Sequence, residues 1–200
     1  MSGIRVRVLM AGLIVIVLAP QARAVSLALT PASSVAAVGD TVAIAIEIAG
    51  LGAGTPPTLS SFDIAVSFDP SVLSFQSASF GTALGTGSDV FESAAPLGPS
   101  SVDVSAASLL PSSVLDASQP ASFVLATLVF QALAPGVSPL AIVDAILADT
   151  SDIAGGNQIF VDSIGGARVT VAPVPEPAAL LVFGAGVLIV RGAPGYRRKR

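Results

Sequence analysis

The middle of the chain alternates apolar and polar residues with a period of two. In residues 41–49 and 61–69, every second position is Val, Ile or Phe, and residues 102–104 and 168–171 repeat the pattern over a shorter span. Successive side chains of a β-strand point to opposite faces, so this alternation predicts strands with one buried face. A slip of one residue in pairing exposes the whole apolar set, which favours a single register.

Residues 122–133 follow a different pattern, because their apolar side chains occupy both odd and even positions. This predicts a central strand that is covered on both faces. Stretches rich in Gly, Pro and Ser separate the strands, and no helical periodicity is sustained before residue 178. The pattern predicts an all-β fold, a sandwich of about eight or nine strands. The turn-forming stretches are residues 50–57, 81–88, 96–101 and 135–139.

Residues 1–24 have the pattern of a secretory signal peptide. Two arginines precede an apolar run of twelve residues, 8–19, and Ala22 and Ala24 put small side chains at the two positions that signal peptidase recognises. We expect cleavage after Ala24, which makes Val25 the new N-terminus. The alternative is an uncleaved membrane anchor.

The last 27 residues join a proline-rich motif, an apolar run and a basic end. Residues 178–190 are thirteen consecutive apolar or glycine residues, fewer than the ~20 that usually span a membrane, and Arg191 follows with a long side chain that can reach the membrane surface. Residues 191–200 are basic, which orients them towards the cytoplasm. The motif before the run consists of Val174, Pro175, Glu176 and Pro177.

This arrangement resembles the PEP-CTERM sorting signal of Gram-negative bacteria over residues 174–200, with the motif at 174–177, a membrane helix at 178–190 and a basic tail at 191–200. The resemblance implies that the tail holds an exported precursor at the inner membrane until an exosortase-type sorting protease removes it. The alternative is an ordinary, permanent membrane anchor. The resemblance also implies a final location at the cell surface or outside the cell.

A second resemblance lies in residues 25–173. The sequence VGDTV at residues 38–42 and LSSFDIAVSFDPSVLSF at residues 59–75 resemble the start of a cohesin domain, most clearly over residues 26–80. The family fold implied is a nine-stranded, jelly-roll-like β-sandwich. Cellulosomal members bind dockerin modules across one sheet face, so the resemblance implies a protein-binding or scaffolding module and leaves the identity of the partner open. Within the motif, Asp69 and Pro70 also predict a turn capped by the aspartate carboxylate.

The composition of the chain accounts for its high mean hydropathy and excludes some classes of binding partner. The chain is 52% hydrophobic and 11% charged, with a mean hydropathy of +0.84, to which both terminal segments contribute. Residues 25–173 hold twelve acidic residues and a single basic residue, Arg168, which gives a formal charge of −11. Such a body repels phosphate backbones, so we expect no nucleic-acid binding. The absence of cysteine excludes disulfides and thiolate zinc sites.

The side chains of the central domain argue against catalysis. The chain has no histidine and residues 25–173 have no lysine, so no Ser-His-Asp triad or Ser-Lys dyad can form there. The acidic residues in strands and turns are interpreted as solubilising charge rather than a glycosidase pair. We therefore expect no enzyme activity, no catalytic residue and no cofactor. The positions interpreted in this way are Asp63, Asp69, Asp103 and Asp116.

The sequence offers two candidate binding sites for small ligands. Asp149, Asp152 and Asn157 offer oxygen ligands for calcium, but their spacing does not fit the twelve-residue EF-hand loop, and a plain loop is the preferred interpretation. Sugar-binding surfaces usually expose Trp or Tyr, whereas this chain has no Trp and its single tyrosine is Tyr196. Most phenylalanines lie at positions predicted to face the core.

The sequence as a whole predicts an exported, non-catalytic protein of the cell surface or extracellular matrix. Its central domain is expected to serve as a protein-binding or adhesion module. The alternative is a carbohydrate-binding module for exopolysaccharide, and a third possibility is a hydrolase of the cell envelope. The expected processing partners are signal peptidase, the inner membrane and the sorting protease.

Overall fold

The computed structural model describes residues 24–149 and 158–173. These residues form eleven β-strands, one short α-helix and two single 3-10 turns. The strands are β1 (Ser26–Pro31), β2 (Val35–Ala37), β3 (Thr41–Ala49), β4 (Leu59–Ser67), β5 (Leu73–Phe80), β6 (Val90–Pro96), β7 (Ser101–Ser108), β8 (Ser122–Ala132), β9 (Gly136–Asp149), β10 (Ser163–Gly165) and β11 (Ala167–Ala172). Helix α1 is Ser112–Ser118, and the 3-10 turns are Thr82–Leu84 and Gly87–Asp89.

The strands form two sheets that enclose one apolar core. One sheet has five strands in the order β10-β1-β3-β8-β5, and the other has six in the order β2-β11-β9-β4-β7-β6. Neighbouring strands are antiparallel except in the pairs β1–β10 and β2–β11. The predicted all-β sandwich is confirmed. Nine of the eleven strands have six or more residues, which matches the predicted number, and the other two, β2 and β10, are three-residue edge strands.

The core follows from the alternation in the sequence. The valine and three isoleucines of β3 are at most 2% exposed. In the other sheet, Ile64 and Val66 of β4 are fully buried beside Val104 and Val102, their cross-strand partners on β7. Burial of a side chain of this size contributes about 1.5–3 kcal/mol. Because the period is two, every residue between them faces outwards.

Strand β8 is central, as predicted, but the expectation that both of its faces are covered is wrong. The pairing with β3 shifts between Ile46 and Glu47, where Leu125 is an extra residue in β8. Such a bulge reverses the parity of the strand. Phe123 therefore faces the core before the bulge and Ala126 faces it after, whereas Val124 on the other face is exposed.

Helix α1 is an element that the hydrophobic pattern of the sequence did not predict. The helix has seven residues, about two turns, which is too short for a recognisable periodic apolar stripe, and only Leu115 among them is buried. Pro111 immediately precedes the helix, and the hydroxyl of Ser118 donates a hydrogen bond to the Val114 carbonyl at 2.7 Å. Its next residue, Gln119, is almost completely buried.

The turn predicted at Asp69 and Pro70 is confirmed. The backbone N–H and hydroxyl of Ser71 donate to Asp69 Oδ1 at 2.9 and 2.6 Å. These two hydrogen bonds stabilise the carboxylate and lower the pKa of Asp69 below its ordinary value. The turn fixes the entry of the chain into β5, in the sheet opposite β4.

The predicted signal helix at 1–24 and membrane helix at 178–190 lie outside the described residues, apart from Ala24. Within residues 24–149 and 158–173, no helix has the length and apolar character needed to cross a bilayer.

Candidate protein-binding face

Four adjacent strands of the six-stranded sheet, β9-β4-β7-β6, present a broad surface on the side away from the core. The residues of this surface have the parity opposite to the core residues of the same strands. We call it the outer face. It consists of Ser61, Asp63, Ala65, Phe91, Ser93, Asp103, Ser105, Ala107, Asp144 and Ile146.

Two large apolar side chains stand on the outer face. Phe91 on β6 is 68% exposed and Ile146 on β9 is 53% exposed. Between them lie the small side chains of Ser61, Ser105 and Ala107, which leave a hollow of about 430 Å³. Small residues between two exposed apolar ones give a shallow depression that an apolar side chain of another molecule can fill.

Three carboxylates lie beside this hollow. Asp103 on β7 and Asp144 on β9 both pair in register with Ala65 of the strand between them, and Asp63 is two residues away on that strand. Burial raises the pKa of Asp103, and a hydrogen bond with Asp63 and the negative charges of Asp63 and Asp144 raise it further. The cluster is therefore a local concentration of negative charge, which attracts cationic groups.

The four aspartates that were interpreted as solubilising charge lie in three different environments. Asp63 and Asp103 lie on the outer face as predicted, and Asp69 lies in its turn. Asp116 is instead on α1, where its Oδ1 accepts a hydrogen bond from the Thr58 hydroxyl at 2.5 Å. In the described residues, no group of three or more acidic side chains is arranged to hold a metal ion.

Asp149, the described member of the suggested calcium cluster, serves a structural purpose. It is 8% exposed, and its Oδ1 accepts a hydrogen bond from the Thr58 backbone N–H at 3.2 Å. Asp152 and Asn157 lie outside the described residues. The carboxylate of Asp149, the last residue of β9, thus holds the segment that leads into β4.

Six of the eight described phenylalanines are buried or half-buried, as expected from their parity, and the exceptions are Phe91 and Phe160. Phe91 and Ile146 were not predicted from the sequence as surface residues. Strand β6 has only Val90 buried, so it lacks the alternation by which the other strands were found. Its one useful signal is a lone aromatic residue among Ser, Ala and Glu.

The predicted processing residues lie almost entirely outside the described residues. Ala24 is described and is exposed immediately before β1. Ala22 and the sorting motif residues Val174, Pro175, Glu176 and Pro177, together with Arg191, are not among the described residues.

The fold and the outer face define a two-sheet β-sandwich module with an open sheet surface. Residues 27–155 match the family of the cohesin domain, and the chain belongs to this family. Cohesin domains are non-catalytic scaffolding modules that bind protein partners, which is consistent with the prediction that the protein is not an enzyme. A comparison with curated protein sequences finds no match.

Solved structures of cohesins share the fold at low sequence identity. A type II cohesin domain from the cellulosome of Acetivibrio cellulolyticus is 19% identical, with a TM-score of 0.59 over 73% of this chain and 95% of that one. The cohesin module of a family 33 glycoside hydrolase from Clostridium perfringens is 12% identical, with a TM-score of 0.59 over 76% and 99% of the two chains. A structure of a type I cohesin–dockerin complex from Clostridium thermocellum is 14% identical, with a TM-score of 0.59 over 74% and 99%.

Proposed function

We propose that the protein is an exported protein-binding module and that its partner docks on the outer face. The observation that carries this proposal is the hollow between the exposed side chains of Phe91 and Ile146, beside three carboxylates on a four-stranded surface. Protein interfaces typically combine a few large apolar anchors with a polar surround. Membership in the cohesin family supports a protein as the ligand.

The chemistry of the outer face specifies the partner. An apolar side chain enters the hollow, and lysine or arginine side chains beside it meet Asp63, Asp103 and Asp144. Related cohesins have been solved in complex with dockerins, and a dockerin-type module is the partner class that we propose. Opposite charges at such an interface favour fast association and select against acidic partners.

The carbohydrate-binding alternative is not supported. The two aromatic side chains that the described residues expose widely are Phe91 on β6 and Phe160, whose neighbours Gln158 and Ile159 pair with β9. Strands β4 and β7 lie between β9 and β6, so the two rings are on opposite sides of the β9-β4-β7-β6 surface. They do not form the paired stacking platform that sugar recognition by aromatic residues requires. A hydrolase is likewise disfavoured by the family, whose domains are non-catalytic scaffolding modules.

The docking proposal is tested by capturing the partner and then measuring affinity. A photo-crosslinking side chain at Ser93 captures the partner from the native host's envelope and medium, with the same group at the exposed Ser34 as a control. The captured protein is then titrated against the wild type and the Phe91→Ser/Ile146→Ser variant. We expect the variant to lose affinity at least about tenfold, because interface anchors commonly contribute more than ~1 kcal/mol each.

The matched control is the Val35→Ser/Leu133→Ser variant, which removes two widely exposed apolar side chains that do not lie on the outer face. This variant is expected to bind like the wild type. Equal affinities for the outer-face variant and the wild type, or a loss in the control variant alone, contradict the proposal.

We further propose that the domain reaches its partner outside the cytoplasm. The signal peptide pattern at 1–24 supports export, and the motif at 174–177 supports retention at the inner membrane followed by cleavage by an exosortase-type protease. The test is the intact mass of the protein from membranes and from medium of the native host. A species from Val25 to about Glu176 supports both steps, whereas a species that still ends at Arg200, found only in membranes, contradicts the sorting step.

A further inference from the structure

The start of the domain is tied to a residue near its end. The backbone nitrogen of Val25 donates a hydrogen bond to Asp162 Oδ2 at 3.0 Å, across 137 positions of sequence. The backbone nitrogen of Asp162 donates in return to the Val25 carbonyl at 2.8 Å. Ser26 then pairs with Ser163, so the two hydrogen bonds begin the parallel pairing of β1 with β10. The Asp162 backbone is thus held in place independently of its carboxylate.

Val25 is also the point at which the chain enters the core. Its side chain is 3% exposed, whereas Ala24 before it is exposed. The Ala24 carbonyl lies directly against Gly50, where no side chain would fit. The Ala24–Val25 peptide bond therefore joins an exposed residue to the first described residue that is packed into the core.

The same bond is the one that the signal peptide pattern marks for cleavage. Hydrolysis by signal peptidase adds water across it, leaves a carboxylate on Ala24 and leaves an amine on Val25, which takes up a proton. The atom that becomes the ammonium nitrogen is the one already 3.0 Å from the Asp162 carboxylate. We infer that maturation converts this backbone hydrogen bond into an ion pair between the new N-terminus and Asp162.

Several features favour this ion pair. The carboxylate is preorganised, and hydrogen bonds between two ionised groups are roughly twice as strong as neutral ones. Residues 25–173 carry a formal charge of −11 with Arg168 as the one basic side chain, so a new cation is placed in a strongly negative field. Cleavage at any other bond puts the ammonium elsewhere and leaves Val25 with its neutral amide. The inference rests on the predicted cleavage and is independent of the docking face.

Acetylation of the α-amine provides a direct test. The full-length gene is expressed in an exporting Gram-negative host, and intact mass first establishes that the purified protein starts at Val25. Residues 25–173 contain no lysine, so an acylating reagent can modify only the α-amine there. The Lys199→Arg substitution removes the side-chain amine of the tail, so that protein that keeps the tail also has one amine to modify. Acetylation turns the amine of Val25 back into a neutral amide N–H. The carbonyl of the acetyl group takes the position that the Ala24 carbonyl occupies in the structure, so it fits without a clash.

Thermal unfolding is then measured with free and acetylated amines, for the wild type and for Asp162→Asn. We expect acetylation to lower the midpoint of the wild type by about 4 °C and to change that of Asp162→Asn by less than about 1 °C. Asp89→Asn, which removes one exposed carboxylate elsewhere, should respond to acetylation like the wild type. Equal shifts in the wild type and Asp162→Asn, or a mature chain that starts at another residue, overturn the inference.

Discussion

At the scale of single residues, the outer face holds charge in an arrangement that is unfavourable for the isolated domain. Asp103 is half-buried and lies close to the carboxylates of Asp63 and Asp144. Ionising it costs free energy because burial and two like charges oppose the charge. Unfavourable groups of this kind are often retained where a surface serves binding rather than stability.

The replacement Asp103→Asn is expected to stabilise the folded protein at neutral pH. The folded state raises the pKa of Asp103 above its ordinary value of 3.8. Protonated Asp103 therefore contributes to the stability of the folded protein below pH 3.8, and this contribution is lost as the pH rises through the pKa of the folded state. The asparagine variant avoids this loss. At pH 7 its midpoint of thermal unfolding should be about 1–3 °C higher than that of the wild type, and the difference should vanish near pH 3.

Asp89→Asn is the matched control for Asp103→Asn, because it removes one exposed carboxylate that lies away from the cluster. Its effect on the midpoint should be smaller. An Asp103→Asn variant that is no more stable than the wild type at pH 7, or that keeps the same gain at pH 3, contradicts the electrostatic explanation.

At the scale of elements, the residue that follows helix α1 connects the start of β4 to the 3-10 turn at Thr82–Leu84. Gln119, directly after the helix, accepts a hydrogen bond from the Leu59 backbone N–H at 2.6 Å and donates from Nε2 to the Leu59 carbonyl at 2.9 Å. The same Nε2 is 3.3 Å from the Ala83 carbonyl. One buried amide thus serves the first residue of β4, a strand that carries part of the outer face.

The replacement Gln119→Leu is expected to destabilise the protein although it keeps nearly the same volume. It leaves the buried N–H and C=O of Leu59 without these partners, at a cost of about 2–4 kcal/mol. Denaturant unfolding of the exported protein measures the change. Ser118→Ala is the control, since Ser118 is exposed and bonds only within its own helix, and it should cost well under 1 kcal/mol. Equal stabilities of Gln119→Leu and the wild type would falsify this assignment.

Elements with a regular pattern are those that the sequence predicts well. The alternation in residues 41–49 and 61–69 predicted two strands and their buried faces, and the motif around Asp69 predicted both a turn and the family. The bulge at Leu125 was not foreseen, because an extra residue changes the strand's parity and makes a one-sided strand look apolar on both sides. Helix α1 is too short for periodicity, and its anchoring through Gln119 depends on contacts 60 residues away in sequence.

The outer face was predicted only in part for a related reason. Asp63 and Asp103 were predicted correctly at outward positions, since acidic residues are rarely buried, whereas Asp144 was not singled out. The cluster depends on the register of three strands that are far apart in sequence, and pairing places Asp103 and Asp144 on either side of Ala65. Phe91 lies in a strand with almost no buried residue, so the pattern of β6 carries little information about its structure.

At the scale of the whole molecule, charge is divided between the domain and the ends. Residues 25–173 hold twelve acidic residues and one arginine, whereas residues 191–200 hold five basic residues and no acidic one. Basic segments next to an apolar run tend to stay on the cytoplasmic side of a membrane, and acidic residues have little effect on orientation. The thirteen-residue run alone is short for a membrane span, so we expect retention of the precursor to depend on the basic end.

Replacing Arg197, Arg198, Lys199 and Arg200 by serine is expected to abolish that retention. The variant should still be exported and start at Val25, but uncut protein that ends at residue 200 should appear in the soluble extracytoplasmic fraction, because little charge then opposes passage of the tail through the membrane. Intact mass of the membrane and soluble fractions provides the measurement. Arg168→Ser, which removes a basic residue from the domain, is the control and should be processed like the wild type. If the tail variant is retained and cut as efficiently as the wild type, the apolar run and the motif at 174–177 suffice for sorting, and the charge division has another purpose.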